Sequence, residues 1–178
     1  METLEWSERL ATGIPEIDSQ HKRIVDMVNQ MREAMEKGDT EAVGRVIPDM
    51  VDYTISHFAF EEALMEEAGY RFLMPHRRVH QLFTRRIPEF QARYAAGEDI
   101  LEELHTMLVR WLANHIQNED HGYVAAVQAY MERQNETAEG KSRPKIVPVE
   151  KPVFQTAQQA PQKRGLWQFI KRFFVYES

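Results

Sequence analysis

Along the first 130 residues apolar side chains recur every three or four positions, and no two-residue alternation competes with that period. Four blocks carry it. The first holds Ile17, Ile24, Val25, Val28, Met31 and Met35, with Asp18 placed to cap its start and Gly38 to close it. The second runs from about Thr40 to Met65 along Val43, Val46, Ile47, Met50, Tyr53, Thr54 and Leu64, and ends at Ala68-Gly69. Pro75 suits a first helical turn and opens the third, which continues through Val79, Phe83, Ile87 and Phe90 to Gly97. Asp99 caps the fourth, whose stripe is Leu101, Leu104, Leu108, Trp111 and Leu112. Helices of similar length joined by short loops bury their stripes most economically with neighbours antiparallel, which predicts an all-α, antiparallel up-and-down four-helix bundle. Pro48 and Pro88 fall inside the second and third blocks, and each should kink or restart its helix.

From Asn135 the period dissolves into NETAEGKSRPKIVPVEKPVFQTAQQAPQ, with four prolines and little apolar mass. The expected organisation is therefore a bundle over residues 1–134, a flexible extended linker over 135–162, and a terminal segment over 163–178. That last stretch, KRGLWQFIKRFFVYES, winds into a short amphipathic helix with Leu166, Trp167, Phe169, Ile170, Phe173 and Phe174 on one face and Gln168, Lys171 and Arg172 on the other.

The formal charge of -6 conceals two unlike regions. Residues 1–134 hold 14 basic and 24 acidic side chains, whereas 135–178 hold 8 and 4. An acidic body argues against nucleic acid as a partner, since phosphate neutralisation needs clustered Lys and Arg. There is no cysteine, which excludes disulfides and thiolate metal sites. The start METLEWSERL lacks the basic and then apolar run of a signal peptide, and no stretch reaches the roughly 18 apolar residues needed to span a bilayer. A soluble, cytoplasmic protein is expected.

Polar residues interrupt the stripes where core is expected. His21 lies between Ile17 and Ile24; His57 and Glu61 share the face of Tyr53, Thr54 and Leu64; His76 and His80 sit on the stripe of Val79 and Phe83. His115 follows Trp111 and Leu112, with Asp120 five further on. A lone histidine on an apolar stripe is usually a satisfied core residue, but buried carboxylates are rare unless paired or coordinated. One shared metal site explains all seven. Imidazole and carboxylate without thiolate suit iron, zinc, copper or nickel, and seven ligands exceed one tetrahedral zinc. Two six-coordinate irons bridged by both carboxylates and one oxygen would divide five histidines three and two, leaving one vacancy for a small ligand such as O2. Ferritin-like sites use Glu-x-x-His pairs instead, a spacing absent from these positions.

The stretches LEWSERLATGIPEIDSQHKRIVDMVNQM, HFAFEEALM, HRRVHQLF and NHIQNEDHGY resemble the bacterial hemerythrins over about residues 4–130. The set His, His-x3-Glu, His-x3-His and His-x4-Asp carries the resemblance as an ensemble. It implies reversible O2 binding at a non-haem di-iron centre, with two iron ions as cofactor. Carried over position by position, His76, His80 and His115 hold the saturated iron, His21 and His57 the open one, and Glu61 and Asp120 bridge. Trp111 and Ile24 are the nearest candidates by helical spacing to keep the pocket dry. His105 and His121 match no family position, so a solvent-facing or indirect role is expected. Glu62, Glu66 and Glu67 read as a solvated face, and Met27, Met31, Met35, Met50 and Met65 as core filler.

The leading functional expectation is an O2 carrier, store or scavenger, with the tail at 163–178 delivering it to a protein groove or, less favoured by the tail's few net positive charges, an anionic membrane surface. The alternatives are a sensor responding to O2 or NO and a di-iron redox enzyme. The enzyme is disfavoured because no further acid, base or substrate cleft accompanies the site. The five-residue step from His115 to Asp120 separates them by about 140° on a regular helix, so a widened turn or a long reach is expected there.

Overall fold

Six α-helices and two one-turn 3-10 segments make up residues 2–139, the part of the chain described by the computed structural model, and no strand occurs among them. A 3-10 turn at Glu8–Leu10 leads into α1, Pro15–Glu36, and α2 follows at Thr40–Glu67. Then come α3, Leu73–Thr84, and α4, Ile87–Ala95. α5, Leu101–Asn118, passes through a second 3-10 turn at Asp120–Gly122 into α6, Val124–Glu139. The helical bundle expected from the apolar period forms, with its third and fourth rods each broken in two.

Glycine makes the tight reversals. Gly38 has φ 66°, and its N–H donates to the Met35 carbonyl at 3.0 Å while Asp39 N–H reaches Ala34 O at 2.9 Å. The end of α2 repeats this device, with Gly69 at φ 67° and Tyr70 N–H on Met65 O at 2.9 Å. Both satisfy carbonyls that a helix end leaves orphaned, in a left-handed conformation that costs a residue with a side chain about 1–2 kcal/mol. The Asp39 carboxylate then caps α2 by accepting from Ala42 N–H at 2.9 Å.

Two expected caps are corrected. Asp18 lies inside α1, which begins at Pro15; its carboxylate instead binds the incoming loop, accepting from Thr12 N–H at 2.7 Å, Thr12 Oγ1 at 2.8 Å and Gly13 N–H at 3.1 Å. Proline supplies the helix start, because its missing N–H is one that the first turn leaves unpaired anyway. Asp99 makes no cap either, since α5 starts after Ile100 without a side-chain cap bond. The prolines behave differently from each other. α2 continues unbroken across Pro48, whereas the third rod stops at Thr84 and restarts at Ile87 with Pro88 in the new first turn.

α6 runs to Glu139, so residues 135–139 are helical and not extended. Continuing a helix needs no apolar stripe, only residues that propagate it, and no proline intervenes before Pro144. The rest of the expected linker and the amphipathic segment at 163–178 lie outside the described residues.

The apolar core is in two parts. The larger gathers Ile24, Val28, Met31, Phe58, Phe83, Leu108, Leu112 and Ile116 with their neighbours. A smaller one joins Ile14, Ile17, Met65, Tyr123 and Val127. Where a rod passes from one cluster to the other, the residues between are polar: His21 falls between Ile17 and Ile24, Glu61 between Phe58 and Met65, and Asp120 between Ile116 and Tyr123. A polar layer is thus sandwiched between two apolar ones.

Candidate metal centre

Each rod delivers its part of that layer by register. On α1 the step from Ile17 to His21 to Ile24 keeps His21 on the core side. The i, i+4 pairs His57/Glu61 on α2 and His76/His80 on α3 project from one face of each helix, and α5 adds His115. Asp120 arrives differently. α5 ends at Asn118 and the chain tightens into a 3-10 turn, which turns Asp120 inward with no exposed surface. The expected widened turn is therefore corrected to a tightened one; either way the regular helix has to break where the five-residue step demands it.

All seven side chains are buried, Glu61 and Asp120 completely. The histidines turn Nε2 toward the carboxylates. His21 Nε2 lies 3.6 Å from Glu61 Oε1 and 3.3 Å from Asp120 Oδ2. The other Glu61 oxygen, Oε2, stands 3.5 Å from both His57 and His80. Asp120 Oδ1 meets His115 at 3.1 Å and His76 at 3.5 Å. The Nε2 atom of His80 is also 3.1 Å from those of His76 and His115. Two sets of potential ligand atoms result, each within 4.8 Å of one another: Glu61, His76, His80, His115 and Asp120, and a second of His21, His57 and Glu61. Glu61 belongs to both. Asp120 spans them too, with Oδ1 toward one set and Oδ2 toward His21.

Much of this polarity has no hydrogen-bond partner among the described residues. His21 Nε2, Glu61 Oε2 and both Asp120 oxygens are buried without a hydrogen bond. Such atoms cost free energy unless satisfied, and a site of lone pairs and carboxylate oxygens is satisfied by cations. The residues therefore fit a metal cluster.

Protonation follows the same field. Burial holds His57 down to about 4, and burial together with neighbouring His80 does the same to His76, so both are neutral at pH 7, the form in which an imidazole can take a metal. Burial also penalises the imidazolium of His21, but Asp120 and Glu61 outweigh it and push that group up to about 9. Burial would raise Glu61 and Asp120, yet the facing histidines keep both below the ordinary carboxylate range.

Three partners outside the seven set tautomer and orientation. Gln20 Oε1 accepts from His57 Nδ1 at 2.8 Å and Glu62 Oε1 from His80 Nδ1 at 2.9 Å, which leaves each Nε2 lone pair facing the centre. Arg77 Nε in turn donates to Glu62 Oε2 at 2.7 Å. The Tyr123 hydroxyl donates to Glu61 Oε1 at 2.5 Å. Sequence reasoning misses all three. The expectation of a solvated face is corrected for Glu62, while Glu66 and Glu67 are exposed. His105 is corrected as well: it is buried on α5, ten residues and about 15 Å of helix from His115, rather than facing solvent or supporting the site. His121 is exposed.

Beside the histidines a cavity of about 20 Å³ is lined by Ile24, Val28, Met50, Phe58, Phe83, Leu108 and Leu112, with Trp111, Thr54, His57 and His115 completing the wall. That is room for about one small molecule. Ile24 and Trp111, singled out from helical spacing, both touch it. Trp111 stacks on His115 with centroids 4.3 Å apart, and Phe58 stacks on His80 at 3.8 Å.

Comparison with known proteins gives a consistent picture. Residues 12–127 match the family profile described as the hemerythrin HHE cation binding domain. The chain is 52% identical over 131 residues to a bacteriohemerythrin of Pseudomonas aeruginosa, covering 74% of this chain and 86% of that one. It is 51% identical over the same shares to that of Stenotrophomonas maltophilia, and 30% identical to that of Methylococcus capsulatus, of which it covers 100%. A crystal structure of a point mutant of another protein superposes with a TM-score of 0.66 at 26% identity, over 71% of this chain and 98% of that one.

Two outcomes are expected. In metal-free protein His57 and His76, depressed from 6.5, contribute stability that is lost as pH falls from about 6.5 to about 4, whereas His21, raised, contributes stability that is lost as pH rises from about 6.5 to about 9. Thermal midpoints of metal-free protein should peak near pH 6.5; a midpoint still climbing at pH 9 would contradict the His21 assignment. Substituting Glu62→Ala should lower metal affinity about ten- to a hundredfold by freeing His80, read by competition with a chelator.

Proposed function

Because this chain belongs to the hemerythrin family, we propose that it binds O2 reversibly at a non-haem di-iron centre as a cytoplasmic carrier, store or scavenger. Hemerythrins are oxygen-binding proteins and not enzymes. The observation that carries the reading is the division of five histidines, three and two, around two shared and fully buried carboxylates, next to a small apolar cavity. In this assignment His76, His80 and His115 would hold one iron, His21 and His57 the other, and Glu61 and Asp120 would serve both. When bound, an iron pair would supply the electrons that reversible O2 binding requires.

The chain's own residues do the rest. Gln20 and Glu62 keep the Nε2 lone pairs of His57 and His80 free for a metal, and Arg77 balances the charge that Glu62 adds. Tyr123 holds Glu61 in place by donating to Oε1, leaving Oε2 toward His57 and His80. Burial raises its phenol far above the ordinary value, so that proton stays on Tyr123 and the bond keeps its direction. Ile24, Phe58 and Trp111 give the cavity a mostly apolar wall, which admits a diatomic gas and offers water few partners beyond Thr54 and the histidines.

The test is metal analysis with reaction kinetics. Purified protein should contain two irons per chain, and its reduced form mixed with O2 in stopped flow should give a spectral change reversed by removing O2. One zinc and no iron would sink the assignment, and rapid oxidation without reversal would move the function to sensing or redox chemistry.

The segment at 163–178 extends the proposal to a partner, either a protein groove or a membrane surface, to which the O2-binding body is tethered. Removing residues 140–178, which leaves α6 whole, should keep iron and O2 binding while abolishing localisation; loss of iron in the truncated chain would make the tail part of the fold.

A further inference from the structure

The outer side of α3 is chemically unlike the rest of the bundle. Residues 71–93 carry six arginines against one acid, Glu89, whereas the remainder of residues 1–134 holds 8 basic and 23 acidic side chains. Glu62 neutralises Arg77, and Glu98 and Glu103 neutralise Arg93. Arg71, Arg78, Arg85 and Arg86 pair with no carboxylate among the described residues. The same stretch holds three of the five large apolar side chains that stand in solvent among the described residues: Phe72 is 47% exposed, Met74 65% and Leu82 52%.

These two anomalies share one surface. Met74, Arg78, Gln81, Leu82 and Arg85 follow each other by four, three, one and three residues, which confines them to an arc of about 100°. The arc lies diametrically opposite His76, His80 and Phe83, the buried side of the helix. Just ahead of α3 the Arg71 guanidinium lies over the Phe72 ring at 4.3 Å.

An exposed leucine or an exposed arginine alone needs no explanation. Here apolar and cationic side chains alternate on a convex helix face, within a stretch of six arginines and one acid in a bundle that is otherwise strongly acidic. The cavity at the histidines lies on the other side of the helix, so the outer face meets a partner through charge and exposed apolar side chains. A lipid surface needs no pocket: apolar side chains enter between headgroups while guanidinium groups bind phosphate. We propose that the outer face of α3, centred on Arg78, Gln81, Leu82 and Arg85, docks this protein on an anionic lipid surface. The acidic remainder of the body is repelled by the same surface, so charge selects this face and turns the others away.

The tail at 163–178 offers similar chemistry in its sequence, so the experiment has to tell the two apart. The chain has no cysteine, which allows one dye to be placed at will. Full-length, iron-loaded protein carrying Gln81→Cys, or Gln30→Cys on the exposed side of α1, is labelled with a polarity-sensitive fluorophore. Each is mixed with vesicles of phosphatidylcholine alone or with added phosphatidylglycerol. Emission from position 81 should shift to the blue with anionic vesicles only, and emission from position 30 should not move. Arg78→Glu with Arg85→Glu, at unchanged helicity and iron content, should weaken vesicle binding by roughly tenfold or more. Vesicle binding that leaves position 81 unmoved would show that the tail docks alone; equal binding to uncharged vesicles, or none to either, would also overturn the proposal.

Discussion

Two carboxylates without exposed surface, Glu61 and Asp120, lie within reach of five imidazoles and, among the described residues, pair with no lysine or arginine, and the bundle is arranged around that unmet charge. An ionised carboxylate moved into a protein interior costs several kcal/mol even after relaxation, and neutral imidazoles return little of it. Protonating His21 is the chain's partial answer, supplying one positive charge against two negative ones. A divalent cation pair would supply the rest and use the lone pairs that otherwise crowd together. The apolar clusters on either side make this demand sharper, since they deny the layer the water that would screen it.

That demand fixes backbone as well as side chains. On a continuous fourth helix His115 and Asp120 would diverge, so the helix ends at Asn118 and a 3-10 turn carries Asp120 inward. The same turn places Tyr123 at hydrogen-bond distance from Glu61 on α2. One irregularity therefore supplies a bridging candidate and fastens its counterpart 62 positions away in the chain. Tyr123 also belongs to the smaller apolar cluster, so the bond that orients Glu61 is held by packing.

How much of this is legible in the sequence follows from the range of each interaction. Helical register is local, and the apolar period by itself places His21, His57, Glu61, His76, His80 and His115 on inward faces; glycines at 38, 69 and 97 likewise mark helix ends through a local rule. Gln20, Glu62 and Tyr123 act across elements, at separations of 37, 18 and 62 residues, and nothing in their own neighbourhoods distinguishes them from solvated polar residues. Asp18 and Asp99 mislead for a related reason: a carboxylate ahead of an apolar stripe is a fair cap by pattern, but whether Asp18 faces the helix or the loop is settled by Thr12 and Pro15. His105 lies on the core side of α5 as firmly as His115, and only distance along the rod separates a buried histidine from a ligand.

α3 shows how far one short helix can be divided between two tasks. Its inner side presents His76 and His80, and its outer side presents Arg78, Leu82 and Arg85. Arg77 sits on the border, and its charge is directed inward to Glu62, the residue that orients His80. The basic stretch is thereby sorted: one arginine serves the metal layer through a carboxylate, while its neighbour on the next position is left for the surface. A helix is about 10 Å across, so a ligand or surface docked on the outer face lies within two helix diameters of the histidine cluster. O2 is apolar and more soluble in hydrocarbon than in water. A binding site held within two helix diameters of a lipid surface has a short diffusion path to the phase that stores most of the gas, which gives the placement of arginine and leucine opposite the histidines a physical use.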